Sequence, residues 1–194
     1  ASEIVAMSAG ESAFYFCKSL KSVIIHDNVT SIDDDAFSSC HNLSSVVIPD
    51  SVTSIGNRAF SICPKLKSVI IPNKVTSIGN RAFYYCSELS SVIIGDKVKS
   101  IGKQAFLDCK SLTSVVIPDS VSFINHYAFQ GCVNLSSITF KKSTKPITIG
   151  EYIFSDSMSR WKKTLLSGID IDKIKENRSK CTVTYTSTNN DGTC

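Results

Sequence analysis

The sequence predicts a repeat solenoid: a right-handed coil with one parallel strand per repeat, mostly β, closed by short 3₁₀ or irregular turns. Three observations predict it. Phenylalanine recurs at one constant interval, at Phe14, Phe37, Phe60, Phe83, Phe106 and Phe129. Cysteine follows each of them at Cys17, Cys40, Cys63, Cys86, Cys109 and Cys132, and leucine at Leu20, Leu43, Leu66, Leu89, Leu112 and Leu135. No insertion breaks this register between Ala13 and Phe140. A globule has no need of identical spacing six times over. A coil does, because each unit buries its apolar side chains only against the units above and below it.

The strand is the run Ser22-Val23-Ile24-Ile25 and its copies, short and β-branched. Period-two alternation sends Val23 and Ile25 inward and Ser22 and Ile24 outward. Pro49, Pro72 and Pro118 close the strand at one slot, since proline donates no ladder hydrogen bond. A second extended stretch follows at Val52-Thr53-Ser54-Ile55 and its copies. The Ala-Phe-x-x-Cys segment is expected to be a tight 3₁₀ or irregular turn on the opposite wall. Gly10, Asp33, Gly56, Gly79, Gly102 and Asn125 share one slot. These residue types tolerate a left-handed backbone, so a positive φ is expected there.

The ends depart from the pattern. Ala6 and Ala9 fall in the slots of Val29 and Ile32, which makes the first coil weak or incomplete. After Phe140 a two-residue insertion restores the register at Ile149, Gly150, Ile153 and Phe154. Residues 1–154 thus form the solenoid, about six full units with partial end units. Residues 155–194 form a capping segment and tail: a short helix at 159–166, with Trp161 and Leu165 covering the last coil, then a strand at 181–186. Cys181 and Cys194 stand outside the ladder and would be able to close a disulfide over the cap in a secreted protein.

The unit A-F-x-x-C-x-x-L-x-S-V-x-I-P-x-x-V-x-x-I-G resembles the BspA-like class of leucine-rich repeats, over about residues 13 to 154. The resemblance implies a leucine-rich-repeat coil and an extracellular or cell-surface protein that binds other proteins, with adhesion to host cells or matrix proteins as its expected role. The alternative is a structural spacer within a larger surface protein. The family motif carries no catalytic residues.

Composition excludes other classes. The chain of 194 residues is 42% hydrophobic and 20% charged, with a net charge of +4. That is too apolar for a disordered chain. Lys and Arg are scattered rather than striped, so nucleic acid is not an expected partner. No apolar run is long enough to span a membrane.

Catalysis is not expected either. His26, His41 and His126 occupy three different slots, and no nucleophile–base–orienter set is present. The cysteines form a line, whereas a metal needs converging ligands, so a buried thiol ladder is expected with no cofactor. The run Asp33-Asp34-Asp35 lacks the later ligands of a calcium loop and reads as a solvated turn.

Two surfaces remain as candidate partner sites. The outward strand slots hold Ile24, Val47, Ile70, Ile93 and Val116, ending at Thr139, with a serine column beside them. A contiguous apolar stripe on a monomer points to an interface, although β-propensity alone also favours these residues. The second candidate is a basic strip around Arg58 and Arg81, suited to an acidic partner or sulfated glycan; its bland reading is a solvated charged wall. Homodimerisation through an end coil is a further option, because open sheet edges pair.

Overall fold

The structure, a computed structural model, describes residues 3–141 and 147–153 and the backbone of the strand at 183–186. It is a parallel-strand solenoid, and no helix occurs among the described residues. One wall is built from β1 (Glu3–Ala6), β2 (Ser22–Ile25), β4 (Ser45–Val47), β6 (Ser68–Ile70), β8 (Ser91–Ile93), β10 (Ser114–Ile117) and β12 (Ser137–Phe140). A second wall stacks the two-residue strands β3 (Ser31–Ile32), β5 (Ser54–Ile55), β7 (Ser77–Ile78), β9 (Ser100–Ile101), β11 (Phe123–Ile124) and β13 (Thr148–Ile149) in one six-stranded parallel ladder. Register is that of the repeat: Val69 pairs with Val92 and Ile78 with Ile101, each with its own counterpart one unit on. The step from Ile124 to its partner Ile149 in β13 is longer than the others by the two-residue insertion.

Alternation places the side chains as the pattern requires. Val23, Ile25, Val69, Ile71, Val115 and Ile117 are buried, while Ile24, Ile70 and Val116 face out. Val46 and Ile48 are the loosest members, only partly buried against the core. The Phe, Cys and Leu columns fill the interior. Phe37, Phe60, Phe83 and Phe106 are fully enclosed and stack face to face, with ring centroids 5.2, 5.4 and 5.3 Å apart and planes within 5°. A ring in this column touches rings on both sides, so each is clamped by the coils it separates.

The third wall is neither strand nor 3₁₀ helix. Two residues per coil take a left-handed backbone: Asp35 and Ser39, Arg58 and Ile62, Arg81 and Tyr85, Gln104 and Asp108. Each of these turns its N–H along the solenoid axis. Arg58 N donates to Asn80 O at 2.9 Å, Ile62 N to Tyr84 O at 2.7 Å, and Phe60 N, between them, to Ala82 O at 2.8 Å. Left-handed backbone costs roughly 1–2 kcal/mol at a residue other than glycine. Leaving a buried N–H unpaired costs about 1–3 kcal/mol. The hydrogen bond to the next coil therefore offsets the strain, even at the β-branched Ile62.

The expected positive φ at the glycine slot is overturned. Among the described glycines only Gly131 has a positive φ, and Gly56, Gly79 and Gly102 do not. Their need for glycine is space. A Cβ on Gly79 would lie 2.4 Å from the carbonyl carbon and oxygen of Gly56, and one on Gly102 2.6 Å from the carbonyl carbon of Gly79. Adjacent backbones approach too closely at this corner for a side chain between them.

The first coil also differs from expectation. Ala6 pairs with Ile25 and does not take the Val29 slot, because β1 stands closer in sequence to β2 than one full repeat: Glu3 pairs with Ser22, Ile4 with Val23, Val5 with Ile24. Ala9 does occupy the Ile32 slot, its carbonyl accepting from Asp33 N as Ile32 O accepts from Gly56 N. The corner between the two walls is thus shorter in this coil than in the next.

At the other end β14 (Val183–Thr186) pairs antiparallel with β12, so the expected final strand forms and covers the last parallel strand. The helix at 159–166, Trp161, Leu165, Phe154 and the Cys181–Cys194 pair lie outside the described residues.

Two stability outcomes follow from this packing. Phe83→Ala, at the middle of the ring column, is expected to cost about 3–5 kcal/mol in denaturant melts; a loss under about 1 kcal/mol would contradict the enclosed ring. Gly79→Ala should destabilise by about 1–3 kcal/mol through overpacking. Gly10→Ala, with nothing within 4 Å of the added carbon, should be close to neutral, and equal losses at the two sites would remove the clearance argument.

Candidate functional site

The outward slots of the first wall form one row. Val47, Ile70 and Ile93 are 56%, 61% and 57% exposed, flanked by the less exposed Ile24 and Val116. Strand pairing makes Ile24 the neighbour of Val47 and Ile70 the neighbour of Ile93, so the exposed side chains lie side by side at the inter-strand spacing of about 4.8 Å. The row continues one step further than the repeat suggested, because Val5 pairs with Ile24 and is itself exposed. Its signal was hidden by the shorter offset of β1. At the far end Thr139 replaces the aliphatic side chain opposite Val116. Six aliphatic residues, one per coil, at that spacing span roughly 24 Å.

The borders of the row are polar and unlike each other. On the side before the strands, Ser45, Ser68, Ser91 and Ser114 are exposed, and beyond them stand Lys21 and Lys67. At the corner after the strands, Asp27, Asp50, Asp96 and Asp119 share one exposed slot, with Asn73 between them. Lys141 reaches back to Asp96, Nζ to Oδ1 at 2.9 Å, in solvent where such a pair is worth little. This face therefore has an apolar centre, with serines and lysines along one margin and aspartates along the other.

The basic strip is less basic than its sequence. Arg58 forks onto the Asp35 carboxylate, with Nε 2.9 Å from Oδ1 and Nη2 2.6 Å from Oδ2. That hydrogen-bonded guanidinium holds the Asp35 carboxyl below its usual range. Arg81 instead donates Nε to Gln104 Oε1 at 2.6 Å and lies over Tyr84, so its charge meets no carboxylate there. Asn57 and Asn80 are occupied structurally: Asn57 Oδ1 accepts from Asn80 N, and Asn80 Oδ1 from Lys103 N. With Asp34, Asn57, Asn80, Lys103 and Gln104, the two arginines line an open depression of about 330 Å³.

The remaining candidate chemistry resolves into structure. Asp34 accepts from the backbone N and the side-chain Nδ2 of Asn57, so the acidic run serves the coil turn. His26 bonds Asn28, His126 accepts from Glu151 N, and His41 packs edge-on to Phe16, at three separate places.

The six repeat cysteines are free thiols in a line. Each thiol from Cys40 onward donates to the carbonyl of the Phe in the preceding coil, as in Cys86 Sγ to Phe60 O and Cys109 Sγ to Phe83 O, both at 3.2 Å. Burial pushes the Cys86 thiol up to about 12 and raises Cys109 and Cys132 as well. A thiolate is the reactive form, so burial holds these three thiols in the unreactive form. Cys17, at the open end, is only partly covered; its thiol is raised by burial and, less, by Cys40.

The thiols set a pH dependence. The folded pKa of Cys86 lies above its unfolded value, so the unfolded chain loses that proton first as pH rises. Stability should be fully present below pH 9.0 and fall as pH rises from there toward about 12. Chemical denaturation at pH 8 and pH 10 checks this, and an unchanged midpoint would contradict it. Cysteine-to-serine substitution within the column should weaken the decline.

Comparisons with known proteins agree with this architecture. The BspA type leucine rich repeat region matches in 6 copies, over residues 7–123 and 99–188. A leucine rich repeat protein of T. pallidum superposes with a TM-score of 0.72 at 29% identity, covering 84% of this chain and 83% of its own. A leucine rich cell surface protein from Faecalibacterium prausnitzii does so with a TM-score of 0.53 at 29% identity, over 75% of this chain. The match takes in 48% of the Faecalibacterium protein, so this chain corresponds to about half of it. Among curated proteins none matches the sequence. A match in repeat copies that spans well over half of the residues is decisive: the chain belongs to the BspA type leucine rich repeat family.

Proposed function

We propose that this chain is an extracellular or cell-surface protein-binding module that adheres to host cells or matrix proteins through the exposed row from Val5 to Val116. The observation that carries the reading is the row itself. Six aliphatic side chains, one per coil, stand in the same outward slot and remain in solvent, and strand pairing sets Val5 beside Ile24, Ile24 beside Val47 and Ile70 beside Ile93. A folded chain rarely leaves such a stripe uncovered. β-Propensity asks only for β-branched residues, and threonine satisfies it as well as isoleucine does. The exposed slot of the last coil holds that threonine.

The partner that fits is a protein surface with an apolar ridge and cationic groups along one side, facing Asp27, Asp50, Asp96 and Asp119. Covering Ile70 and Ile93 with such a ridge would contribute a few kcal/mol, about 25 cal/mol for each Å² removed from water, before the cost of association. Surface location is supported by family membership and by the naming of the Faecalibacterium relative as a cell surface protein. Binding through a face of stacked coils needs no cofactor and no catalytic group.

The test is binding of the labelled protein to host epithelial cells and to immobilised matrix proteins, beside an Ile70→Lys, Ile93→Lys variant with an unchanged unfolding midpoint. The parent is expected to bind saturably, and the variant at least tenfold more weakly, a loss of about 1.4 kcal/mol. Equal binding by both would move the site to the wall of Arg58 and Arg81. Absence of binding by the parent would favour a spacer role over an adhesive one.

A further inference from the structure

The depression between Arg58 and Arg81 offers hydrogen-bonding groups of one kind. Three of its side chains are amides, and contacts between coils use the oxygen of each. Asn57 Oδ1 accepts from Asn80 N at 2.9 Å, and Asn80 Oδ1 from Lys103 N at 2.8 Å. Gln104 Oε1 accepts from Arg81 Nε at 2.6 Å. A backbone or guanidinium N–H can only donate, so each contact fixes which end of the amide is oxygen. What remains to Asn80 and Gln104 is the NH2 end. Asn57 directs its own NH2 to Asp34 Oδ2, while Asp34 Oδ1 accepts from Asn57 N. Both oxygens of the one carboxylate that lines the depression therefore already hold a donor.

Charge adds to this bias. Arg58, Arg81 and Lys103 line the depression against the carboxylate of Asp34. Arg58 is committed to Asp35. Arg81 and Lys103 meet no carboxylate, and among the described residues the terminal guanidinium nitrogens of Arg81 and the ammonium of Lys103 make no hydrogen bond. Asn80, Arg81, Lys103 and Gln104 thus bring donors from two adjacent coils, about 4.8 Å apart, to one open space. Cations and rings continue from there along the turn wall. Arg81 lies over the ring of Tyr84, the ring of Tyr84 is 5.8 Å from that of Tyr85, and Lys110 lies 5.5 Å over Tyr85, which is exposed. Asp108 takes the slot of Tyr85 one coil on and does not line the depression.

We propose that the depression around Arg81 and Lys103 binds a sulfated polysaccharide, at a site separate from the outward row of the first wall and independent of it. A sulfate ester presents three terminal oxygens, all acceptors, and so suits donors that arrive from several side chains at once. The neutral NH2 groups of Asn80 and Gln104 suit the hydroxyl and ring oxygens of a sugar, which bare charge would not distinguish. The exposed ring of Tyr85 offers a face to a pyranose, and Lys110 offers a second cation to the next anionic group of the same chain. An acidic peptide brings carboxylates alone and makes less use of the amides.

Calorimetric titration with a heparin oligosaccharide tests this, beside the same oligosaccharide after desulfation and beside a polyglutamate and a single-stranded RNA of matched charge. These comparisons use the parent protein alone. Two variants then address the site. Asn80→Asp exchanges the free NH2 for an oxygen, and Asp34 shows that an aspartate in this slot still accepts from the backbone N–H of the next coil. Arg81→Gln removes the unpaired cation and places there the residue that Gln104 already is one coil on. Asn134→Asp is the control of equal charge, at an exposed slot that holds Glu88 two coils earlier. The expected result is saturable binding of the sulfated chain that weakens as salt is raised. Desulfation, Asn80→Asp and Arg81→Gln should each weaken it by about tenfold or more, and Asn134→Asp should leave it close to the parent. Absence of binding at low salt overturns the proposal. So does equal affinity for the polyglutamate or the RNA, or an equal loss in Asn80→Asp and Asn134→Asp. No cell or matrix protein takes part, so a negative result here leaves the outward row of the first wall untouched.

Discussion

Backbone pairing between one coil and the next is the constraint on which everything else depends. It runs in both directions at once. On the turn wall N–H groups donate forward, as Phe60 does to Ala82, and on the second wall they donate backward, as Gly56 does to Ile32. Hydroxyls extend the ladder at the corners: Ser44 Oγ donates to Lys21 O and Thr53 Oγ1 to Thr30 O, both at 3.0 Å. A coil gains these bonds only beside another coil in the same register. Hence an insertion is tolerated near the end, before β13, and none occurs between Ala13 and Phe140.

The same pairing explains where conformational cost sits. Left-handed backbone at Asp35, Arg58, Arg81 and Gln104 is held by the bonds it makes upward. Glycine is required elsewhere, at the corner where Gly56, Gly79 and Gly102 bring successive backbones into contact. Interior columns then accept one residue type each. A planar ring matches the spacing of its neighbours, and a thiol reaches the carbonyl of the ring one coil back. The interior is thereby taken up by packing, which directs attention to the surface.

On that surface the repeat has a consequence for binding. Any side chain in an outward slot is copied at every step, so a single aliphatic preference becomes a line of them. Because hydrogen bonds between coils hold them in register, the line is already formed before a partner arrives, which lowers the ordering cost of association. The acidic slot at the following corner is copied in the same manner and gives the line a charged margin. The arginine wall lacks this uniformity: its slots change from Asp35 to Arg58, Arg81, Gln104 and Tyr127 in successive coils.

Coil length, the strand, the buried columns and the exposed row were all legible in the sequence, because each is a column of like residues at one spacing. Two expectations failed for reasons that spacing does not contain. The glycine slot has the composition of a left-handed corner, yet it answers to the distance between adjacent backbones. The left-handed positions hold Ser, Phe, Asp, Arg, Ile, Tyr and Gln, and no single residue type marks them. Likewise Ala6 was misplaced because β1 follows its pairing with β2 rather than the interval of the repeat. What the sequence by itself determined is the periodic part of this protein, the face each residue takes. What only the tertiary structure decided is the contact between coils, since close approach, strain and the offset of an end strand exist only once one coil lies against another.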